Sequence, residues 1–328
     1  MLEHGGRLRL AAERYGSVAG DWLDLSTGLN PQGYPVPLLP PHCWARLPEA
    51  GDGLEAAARD YYGCGPLLPV AGTQAAIQLL PRLRPLSRVA VMSPGYREHF
   101  ESWRRAGHIV QGVSVAQLRR QLPDCQVLVL MHPGNPDGAR FSRNELLGWH
   151  RVLAARGGWL VVDEAFIDAT PDASLADAAA LPGLIVLRSV GKFFGLAGIR
   201  VGFVLAEPQL LADLQELMGP WAVAGPGREA ARKALGDRDW QARTRERLAL
   251  DSARLQRLLA GQGLQPAGGS VLFQWVQHPN AAAIHDRLAR RAILIRLFDE
   301  PASLRFGLPP DEAGWTRLEA ALKEVQAC

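Results

Sequence analysis

The sequence predicts an α/β fold with a mostly parallel central sheet and a smaller C-terminal α/β domain. Short apolar runs alternate with helical stretches along most of the chain, as in proteins whose parallel strands are joined by crossover helices. The length of 328 residues also exceeds what a single hydrophobic core usually supports. A second, smaller domain is therefore expected.

The order of these runs predicts three parts. Residues 1–34 form an N-terminal arm, 35–225 a large domain and 226–328 a small domain. The predicted strands of the large domain are 88–92, 108–113, 126–131, 159–162 and 184–187, and a helix is expected to open at 70–76. In the small domain, strands near 270–276, 292–295 and 303–306 alternate with helices near 280–291 and 311–325.

Composition excludes several classes of protein. The net charge of +3 is small for this length, and no block of Lys or Arg indicates a nucleic-acid partner. The four cysteines have no metal-ligand spacing, so no metal is expected. The N-terminus lacks the pattern of a signal peptide, and no apolar run approaches the roughly 20 residues that span a bilayer. We expect a soluble cytoplasmic protein without a membrane partner.

Residues 188–200 have the features of a reactive-lysine segment. Lys192 follows the apolar run 184–187 and lies in a turn rich in glycine and phenylalanine. Most lysines are solvated surface charges. Desolvation among small and aromatic residues, however, favours the neutral, nucleophilic form of an amine. The segment as a whole favours a lysine that reacts with a carbonyl group.

Ligands of open α/β sheets bind at the carboxyl ends of the strands, so the residues that follow each run are candidates. Tyr96 follows the first run, Asn135 the third and Asp163 the fourth. An aspartate at the end of a buried strand is costly unless it has a partner. Gly72-Thr73 could form an anion site at a helix start, although Thr73 could equally be an ordinary N-cap.

In order and spacing, these residues resemble the fold-type-I pyridoxal 5'-phosphate (PLP) transferases, the aspartate aminotransferase-like family, over nearly the whole chain. Within this family they resemble the branch that holds histidinol-phosphate aminotransferase and threonine-phosphate decarboxylase. The intervals from Asp163 to Lys192 and from Lys192 to Arg200 are the most specific. The resemblance implies that Lys192 binds PLP covalently and acts as acid and base, and that Asp163 pairs with the pyridine nitrogen. The implied cofactor-binding residues are Gly72, Thr73, Tyr96, Asn135, Asp163, Ser189, Lys192 and Arg200.

The same resemblance implies a set of substrate-binding residues, namely His4, Gly5, Gly6, Asn30, Asn135, Arg296 and Arg305. Arg305 is flanked by apolar residues on a short predicted strand, and a guanidinium matches a carboxylate geometrically. For Arg296, a role in binding a substrate phosphate and a place at an exposed strand end are both open.

Three positions depart from the family pattern. Leu47 and Phe166 stand where relatives carry tyrosines, so a hydroxyl contact to the cofactor is expected to be absent at each. His132 replaces the first asparagine of the turn that contains Asn135, and a structural role is expected for it.

The resemblance implies an enzyme that breaks a bond at Cα of a phosphorylated amino acid. The His-Gly-Gly start and the compact lysine segment look more like the decarboxylases of this branch. That resemblance implies decarboxylation of L-threonine O-3-phosphate, a step of cobalamin biosynthesis, by a homodimeric enzyme. A histidinol-phosphate-type aminotransferase is the alternative, and a catalytically silent PLP-fold protein is a further one. A nucleotide-binding α/β protein is disfavoured because no GxGxxG opens a helix. A DNA-binding regulator is disfavoured because the chain begins directly with the arm.

Overall fold

The structure is a computed structural model that describes residues 5–16 and 19–326. The chain divides into two compact units. The larger unit holds residues 33–135 and 139–242, and the smaller unit holds 1–32, 136–138 and 243–328. The arm thus belongs to the same unit as the C-terminal residues, while the division at residues 34 and 225 stays a prediction.

The helices, in chain order, are α1 Leu8–Tyr15, α2 His42–Ala45, α3 Leu54–Tyr62, α4 Thr73–Leu79, α5 Arg97–Arg105, α6 Val115–Arg120, α7 Arg143–Ala154, α8 Pro208–Met218, α9 Gly225–Gly236, α10 Arg238–Gly261, α11 Ala281–Ala289 and α12 Glu312–Gln326. The strands are β1 Leu23–Asp24, β2 Leu67–Val70, β3 Arg88–Met92, β4 Ile109–Val113, β5 Val127–Met131, β6 Trp159–Asp163, β7 Leu184–Ser189, β8 Gly202–Leu205, β9 Gly268–Ser270, β10 Phe273–Gln277, β11 Ile293–Leu294, β12 Arg296–Phe298 and β13 Ser303–Gly307. Among the described residues, no helix is both long enough and apolar enough to cross a bilayer.

The larger unit is built on a seven-stranded sheet in the order β2-β8-β7-β6-β5-β3-β4. The strand β8 runs antiparallel to β2 and β7, and the other neighbouring pairs are parallel, which confirms the mostly parallel sheet. Every residue of β5 and β7 is buried, as expected for central strands covered on both faces. The core contains Val89, Val127, Val161, Ile185 and Val204, which come from five consecutive strands of this sheet.

Local sequence signals account for several helix starts. Ser142 and Glu145 form a capping box at α7, in which each side chain accepts a hydrogen bond from the other residue's backbone N–H. Ser114 and Gln117 do the same at α6. These caps satisfy backbone donors that the first turn of a helix leaves without intrahelical partners.

The structure differs from the sequence prediction at the edge strand β2. The prediction placed the start of a helix at Val70. In the structure Val70 ends a strand and the helix α4 begins at Thr73. Pro69 lies within this strand and weakens its signal, because proline removes a ladder hydrogen bond. An edge position, where one side needs no partner, accommodates it.

The smaller unit contains a four-stranded antiparallel sheet, β12-β13-β10-β9, and a two-stranded parallel pair, β1-β11. The strands predicted near 270–276, 292–295 and 303–306 are present in it. Trp22 from the arm lies in an apolar cluster with Ala11, Ala289 and Leu294. The arm is therefore part of the core of this unit.

Candidate active site

A cavity lies at the carboxyl ends of the parallel strands of the larger unit, where open α/β sheets bind their ligands. It is lined by Gly72, Thr73, Gln74, Tyr96, Met131, Asn135, Asp163, Ala165, Phe166, Ser189, Gly191, Lys192, Ala197, Arg200 and Val201. All eight residues predicted to bind the cofactor are in this set. The structure therefore brings them together around one cavity.

The turn that carries Lys192 is held from both sides. Before it, the Oγ of Ser189 accepts a hydrogen bond from the backbone N–H of Gly191 at 3.1 Å. After it, the buried ring of Phe194 stacks on Trp240, with ring centroids 5.6 Å apart. Lys192 Nζ lies 5.3 Å from the centroid of Phe166. The aromatic ring that replaces the family tyrosine is thus a direct neighbour of the amine.

Asp163 ends β6 as a buried carboxylate whose two oxygens each accept a hydrogen bond. Its Oδ1 accepts from the backbone N–H of Ala165 at 3.0 Å, and its Oδ2 lies 2.9 Å from Nε2 of His99. His99 is itself buried, on the first turns of α5. Two partners on different elements therefore fix the orientation of this carboxylate.

Gly72 and Arg200 lie against each other in the lining of the cavity. Gly72 has φ +72°, and a Cβ at this position would lie 2.5 Å from Nη2 of Arg200. Arg200 also adopts a left-handed conformation, with φ 54°, and its Nη1 donates to the carbonyl oxygen of Ala197 at 3.0 Å. The glycine thus lets the guanidinium lie against the turn that opens α4, where the backbone N–H groups of the first helical turn are also directed.

The ring of Tyr96 is fixed at its hydroxyl. This hydroxyl donates to Oε1 of Gln74 at 3.1 Å, and Nε2 of Gln74 donates in turn to Glu98 at 3.2 Å. Burial, with smaller contributions from Glu98 and Asp163, raises the pKa of Tyr96 to about 12. Tyr96 therefore stays a neutral phenol, which suits a role in stacking.

His132 lies behind the cavity wall and not in the cavity. It is fully buried, its Nδ1 accepts the backbone N–H of Phe141 at 3.4 Å, and its Nε2 donates to the carbonyl oxygen of Ala173 at 3.2 Å. Burial lowers the pKa of His132 to about 4. The histidine therefore supports the turn before Asn135 in its neutral form.

The residues of this cavity fit PLP. The donor set consists of a carboxylate for a protonated ring nitrogen, an amine for the aldehyde, an aromatic ring for stacking, and a guanidinium with hydroxyl and backbone donors for the phosphate. Arg200 and the opening of α4 would bind the anionic phosphate, whereas the carboxylate of Asp163 would bind the cationic, protonated nitrogen of the ring.

A second cluster of predicted site residues lies within the smaller unit, around Arg305 of β13. The buried guanidinium of Arg305 donates from Nη2 to the carbonyl oxygen of Ser26 at 2.6 Å and lies 5.0 Å from the ring centroid of Phe273. A Cβ at Gly28, where φ is +62°, would lie 3.2 Å from Phe273 and 3.5 Å from Cζ of Arg305. Only a glycine fits this conformation and this space without strain.

Arg296 lies beside Arg305, because the two are direct register partners across β12 and β13. Directly opposed residues of an antiparallel pair share one face of the sheet, and like charges there repel each other. Burial, followed by the charge of Arg296, lowers the pKa of Arg305 to about 9, while Asp24 acts in the opposite direction. An anion bound at this face would relieve both costs.

The arm contributes backbone groups to the same cluster through Ser26. The Oγ of Ser26 accepts the backbone N–H of Gly6 at 2.7 Å and donates to Oδ1 of Asp24 at 2.6 Å. A Cβ at Gly5 would lie 2.4 Å from the carbonyl oxygen of Ser26. Gly5 and Gly6 therefore lie against the residue that holds Arg305, whereas His4 is outside the described residues.

Sequence reasoning missed His99, Gln74 and Ser26. His99 follows Tyr96 by three residues, which is about one helical turn, so a helix beginning near Tyr96 would have pointed both residues to one side. Gln74 follows Thr73 directly at the start of α4. Ser26 lies in the predicted arm, where local pattern assigns it no role.

The sheet, the lysine turn and the buried aspartate are those of a fold-type-I PLP-dependent enzyme. The family model for aminotransferase class I and II matches residues 52–325, and the chain belongs to this family.

Comparison with individual proteins shows which members of this family the chain is similar to. The chain is 57% identical to a threonine-phosphate decarboxylase of Pseudomonas aeruginosa, over 98% of this chain and 97% of the relative. It is 44% identical to a threonine-phosphate decarboxylase of Sinorhizobium sp., over 99% of this chain and 98% of the relative. Its fold is similar to that of histidinol-phosphate aminotransferase from Sinorhizobium meliloti in complex with pyridoxal-5'-phosphate, with a TM-score of 0.83, 22% identity, and coverage of 99% of this chain and 95% of that chain.

Proposed function

We propose that the protein is a PLP-dependent decarboxylase of L-threonine O-3-phosphate in cobalamin biosynthesis. The bond between Cα and the carboxylate breaks, carbon dioxide leaves, and a proton takes its place at Cα. The product is (R)-1-aminopropan-2-ol O-2-phosphate. The observation that carries the proposal is the 57% identity, over almost the whole of both chains, to a relative of that name.

The arginine pair supports a substrate with two anionic groups. Arg305 and Arg296 lie side by side on one sheet face, and the lowered pKa of Arg305 indicates that this face favours a bound anion. L-Threonine O-3-phosphate carries a carboxylate and a phosphate. We assign the carboxylate to the buried Arg305, since a guanidinium binds a carboxylate in a bidentate manner. The phosphate is assigned to Arg296 and the backbone of Gly5, because the N–H of Gly6 already donates to Ser26.

The larger unit supplies the groups that would hold the cofactor. Arg200, Ser189, Thr73 and the backbone at Gly72 would bind its phosphate, and the remaining contacts fall to Tyr96, Asn135 and Asp163. Bound PLP supplies a sink for the electrons that are released when a bond at Cα breaks. The oriented carboxylate of Asp163 would keep a proton on the ring nitrogen, and the amide of Asn135 would donate a hydrogen bond to the ring oxygen, where Phe166 has no hydroxyl to offer.

Lys192 has two tasks in this proposal. Its Nζ would hold the cofactor covalently. In its protonated form the same group would act as the acid that delivers a proton to Cα of the substrate. The ring of its neighbour Phe166 limits the water around this amine.

A histidinol-phosphate-type aminotransferase is the second candidate, and the fold similarity to such an enzyme favours it. The same cofactor residues and arginines could serve transamination. Histidinol phosphate, however, carries a phosphate and no carboxylate, so it would leave one of the two arginines without an anion in that half-reaction.

Product analysis separates the two candidates. The PLP-loaded protein is given L-threonine O-3-phosphate without any keto acid, and carbon dioxide and aminopropanol phosphate are measured over many turnovers. Sustained release of both supports the decarboxylase. If no carbon dioxide appears, and histidinol phosphate instead converts the cofactor to its amine form, the aminotransferase assignment replaces it.

We also propose a cytoplasmic homodimer. The larger unit exposes Leu38, Trp44, Leu47 and Trp221 by 97, 70, 62 and 58%. Three of these lie in one stretch, which includes the position where the related family contacts the neighbouring subunit's cofactor. The backbone of Cys43 contacts the start of α9 at Gly225, four residues after Trp221. A second copy of the chain is the occupant that would cover this apolar surface. The free thiols of Cys43, Cys64 and Cys125 agree with a reducing compartment.

Analytical ultracentrifugation tests the dimer. The double substitution of Leu38 and Leu47 by Asp should shift the protein from dimer to monomer, because it places charges in the proposed interface. Ile109→Asp is the matched control, since Ile109 is 72% exposed in the same unit. A monomeric unaltered protein would contradict the proposal.

A further inference from the structure

The hydroxyl of Ser26 joins two segments of the smaller unit and has a defined orientation. It donates to Oδ1 of Asp24 at 2.6 Å, because a carboxylate can only accept, and it accepts the backbone N–H of Gly6 at 2.7 Å, because an N–H can only donate. The backbone N–H of Ser26 donates to the same Oδ1 at 2.9 Å. Ser26 is buried, with 1% of its surface exposed. Its hydroxyl therefore ties Gly6 to the end of β1.

The Gly5-Gly6 segment has no side chains through which the fold could hold it. Gly5 lies so close to Ser26 that a Cβ at this position would be 2.4 Å from the carbonyl oxygen of Ser26. Gly6 has φ +78°, and a Cβ there would lie 3.2 Å from Cγ2 of Thr27. The position of the segment thus depends on close backbone packing and on the hydrogen bond from Gly6 to the Ser26 hydroxyl.

The main chain around Ser26 has a different role from its side chain. The carbonyl oxygen of Ser26 accepts from Nη2 of Arg305 at 2.6 Å, and the carbonyl oxygen of Leu25 accepts the backbone N–H of Gly307 at 2.7 Å. These contacts hold Arg305 and the end of β13 through backbone atoms, which a change of the Ser26 side chain leaves in place. One residue therefore supports the two anion-binding parts of the cluster through different groups.

We propose that the hydroxyl of Ser26 positions the Gly5-Gly6 segment for the phosphate of the substrate and has no part in binding the carboxylate. This inference rests on the proposed function, which assigns the phosphate to Arg296 and the backbone of Gly5. Glycine has more conformational freedom to lose than any other residue, so a glycine segment that became ordered only on binding would weaken the complex. Ser26 orders the segment beforehand. Recognition of the phosphate should therefore depend on this hydroxyl, and recognition of the carboxylate should not.

Three ligands separate these two kinds of recognition. L-Threonine O-3-phosphate carries both anionic groups, L-threonine lacks the phosphate, and O-phosphoethanolamine lacks the carboxylate. Their dissociation constants are measured by calorimetry in the Lys192→Ala background, where turnover is blocked. For Ser26→Ala we expect the constants of the two phosphorylated ligands to rise about tenfold, because the hydrogen bond that orders the phosphate-binding segment is lost. The constant of L-threonine should not change.

A second variant guards against a loss of folding in Ser26→Ala. Ser26→Cys fills the same buried space with a thiol, which is only a weak donor and a weak acceptor. It should show the same selective loss of affinity for the phosphorylated ligands. Gly6 is exposed, so water can replace the partner of its N–H in either variant, and we expect both to fold.

Ser252→Ala is the matched control. The hydroxyl of Ser252 also joins two segments of the smaller unit, since it accepts from Nε2 of Gln274 at 2.9 Å and donates to the carbonyl oxygen of Ser270 at 3.4 Å. Its loss should leave all three dissociation constants unchanged. If Ser26 had a purely structural role, its substitution would lower the thermal midpoint and weaken all three ligands equally, or none of them. Either result would overturn the inference.

Carbon dioxide release by the unaltered enzyme keeps this inference separate from the proposed function. If none is released from L-threonine O-3-phosphate, yet Ser26→Ala selectively weakens the phosphorylated ligands, the function fails and the inference holds. If carbon dioxide is released but Ser26→Ala and Ser26→Cys bind the phosphorylated ligands as tightly as the parent, the inference is overturned and the function stands. If the parent binds neither phosphorylated ligand, both are overturned.

Discussion

The carboxylate of Asp163 meets the imidazole of His99 at 2.9 Å, although 64 residues separate them in the chain. Asp163 ends a central strand, and His99 lies on the helix that begins after Tyr96. The ring of His99 also lies edge-on to Tyr96, with centroids 6.1 Å apart. One buried histidine therefore contacts both the carboxylate proposed for the ring nitrogen and the aromatic residue proposed to stack on the ring.

Removal of this histidine should impair catalysis more than it impairs folding. His99→Phe keeps a ring beside Tyr96 but leaves Oδ2 of Asp163 without its donor. Loss of an orienting partner behind a functional group typically costs about 10- to 100-fold in affinity or activity. We expect kcat to fall by that factor and PLP to bind more weakly, measured by steady-state kinetics and cofactor titration.

The control for this substitution is His108→Phe. His108 is equally buried in the same unit, where it contacts Pro81 and Trp103. It should lower stability without a comparable loss of kcat. Equal kinetic effects of the two substitutions would show that the contact between His99 and Asp163 has no special role.

Lys192 should be the only attachment point of the cofactor. The chain contains three lysines, Lys192, Lys233 and Lys323, so the product of borohydride reduction can be located by mass spectrometry without ambiguity. We expect the reduced adduct on the peptide that contains Lys192, and no adduct in Lys192→Ala. Lys233→Ala, which removes an ion pair with Glu229, is the control and should retain the adduct. A reducible adduct that persists in Lys192→Ala would remove Lys192 from its central place.

Gly72→Ala should weaken cofactor binding. The added Cβ would lie 2.5 Å from Nη2 of Arg200, and the left-handed φ of +72° strains any side chain. Displacement of the guanidinium from the phosphate site should raise the PLP dissociation constant about tenfold or more, the equivalent of one charge-assisted hydrogen bond. Fluorescence titration with PLP measures this change.

Gly198→Ala is the matched control, because a Cβ at this position meets no atom within 4 Å. Its PLP dissociation constant should match that of the unaltered protein. If the two alanine variants bind PLP alike, the close approach of Gly72 and Arg200 does not define the phosphate site.

The sequence was sufficient to predict that residues at the ends of different strands lie around one cavity. Asp163 and Ser189 each end a largely buried strand, and such strands are recognised in a sequence as apolar runs. The carboxyl ends of parallel strands lie at one edge of the sheet, so the residues at these ends come close together. The strand Leu67–Val70 was missed because Pro69 interrupts a short edge strand, which local pattern cannot distinguish from a loop.

Partners that act through side-chain contacts between distant segments were not predictable. Arg247 and Asn30 are 217 residues apart, and neither local pattern indicates the other. The same holds for Tyr96 and Gln74, which are 22 residues apart on different helices or their flanks. Each contact depends on the tertiary packing of two elements, whereas sequence periodicity reports only which face of one element is apolar.

The acid stability of the protein should depend on His132. In the folded state burial lowers its pKa to about 4, compared with an ordinary value of 6.5. Between these pH values the unfolded chain binds a proton that the folded protein does not, so the free energy of unfolding decreases as the pH falls from 6.5 towards 4. For this one group the loss amounts to at most about 3 kcal/mol. His132→Asn introduces the residue that the related family carries here, which has no group that titrates in this pH range. Urea unfolding at pH 4.5, 5.5 and 7.5 should give a flatter pH dependence for this variant than for the parent, with His42→Asn, an exposed position, as the control. If the free energy of unfolding of His132→Asn falls at low pH as much as that of the parent, other groups determine the acid sensitivity of the fold.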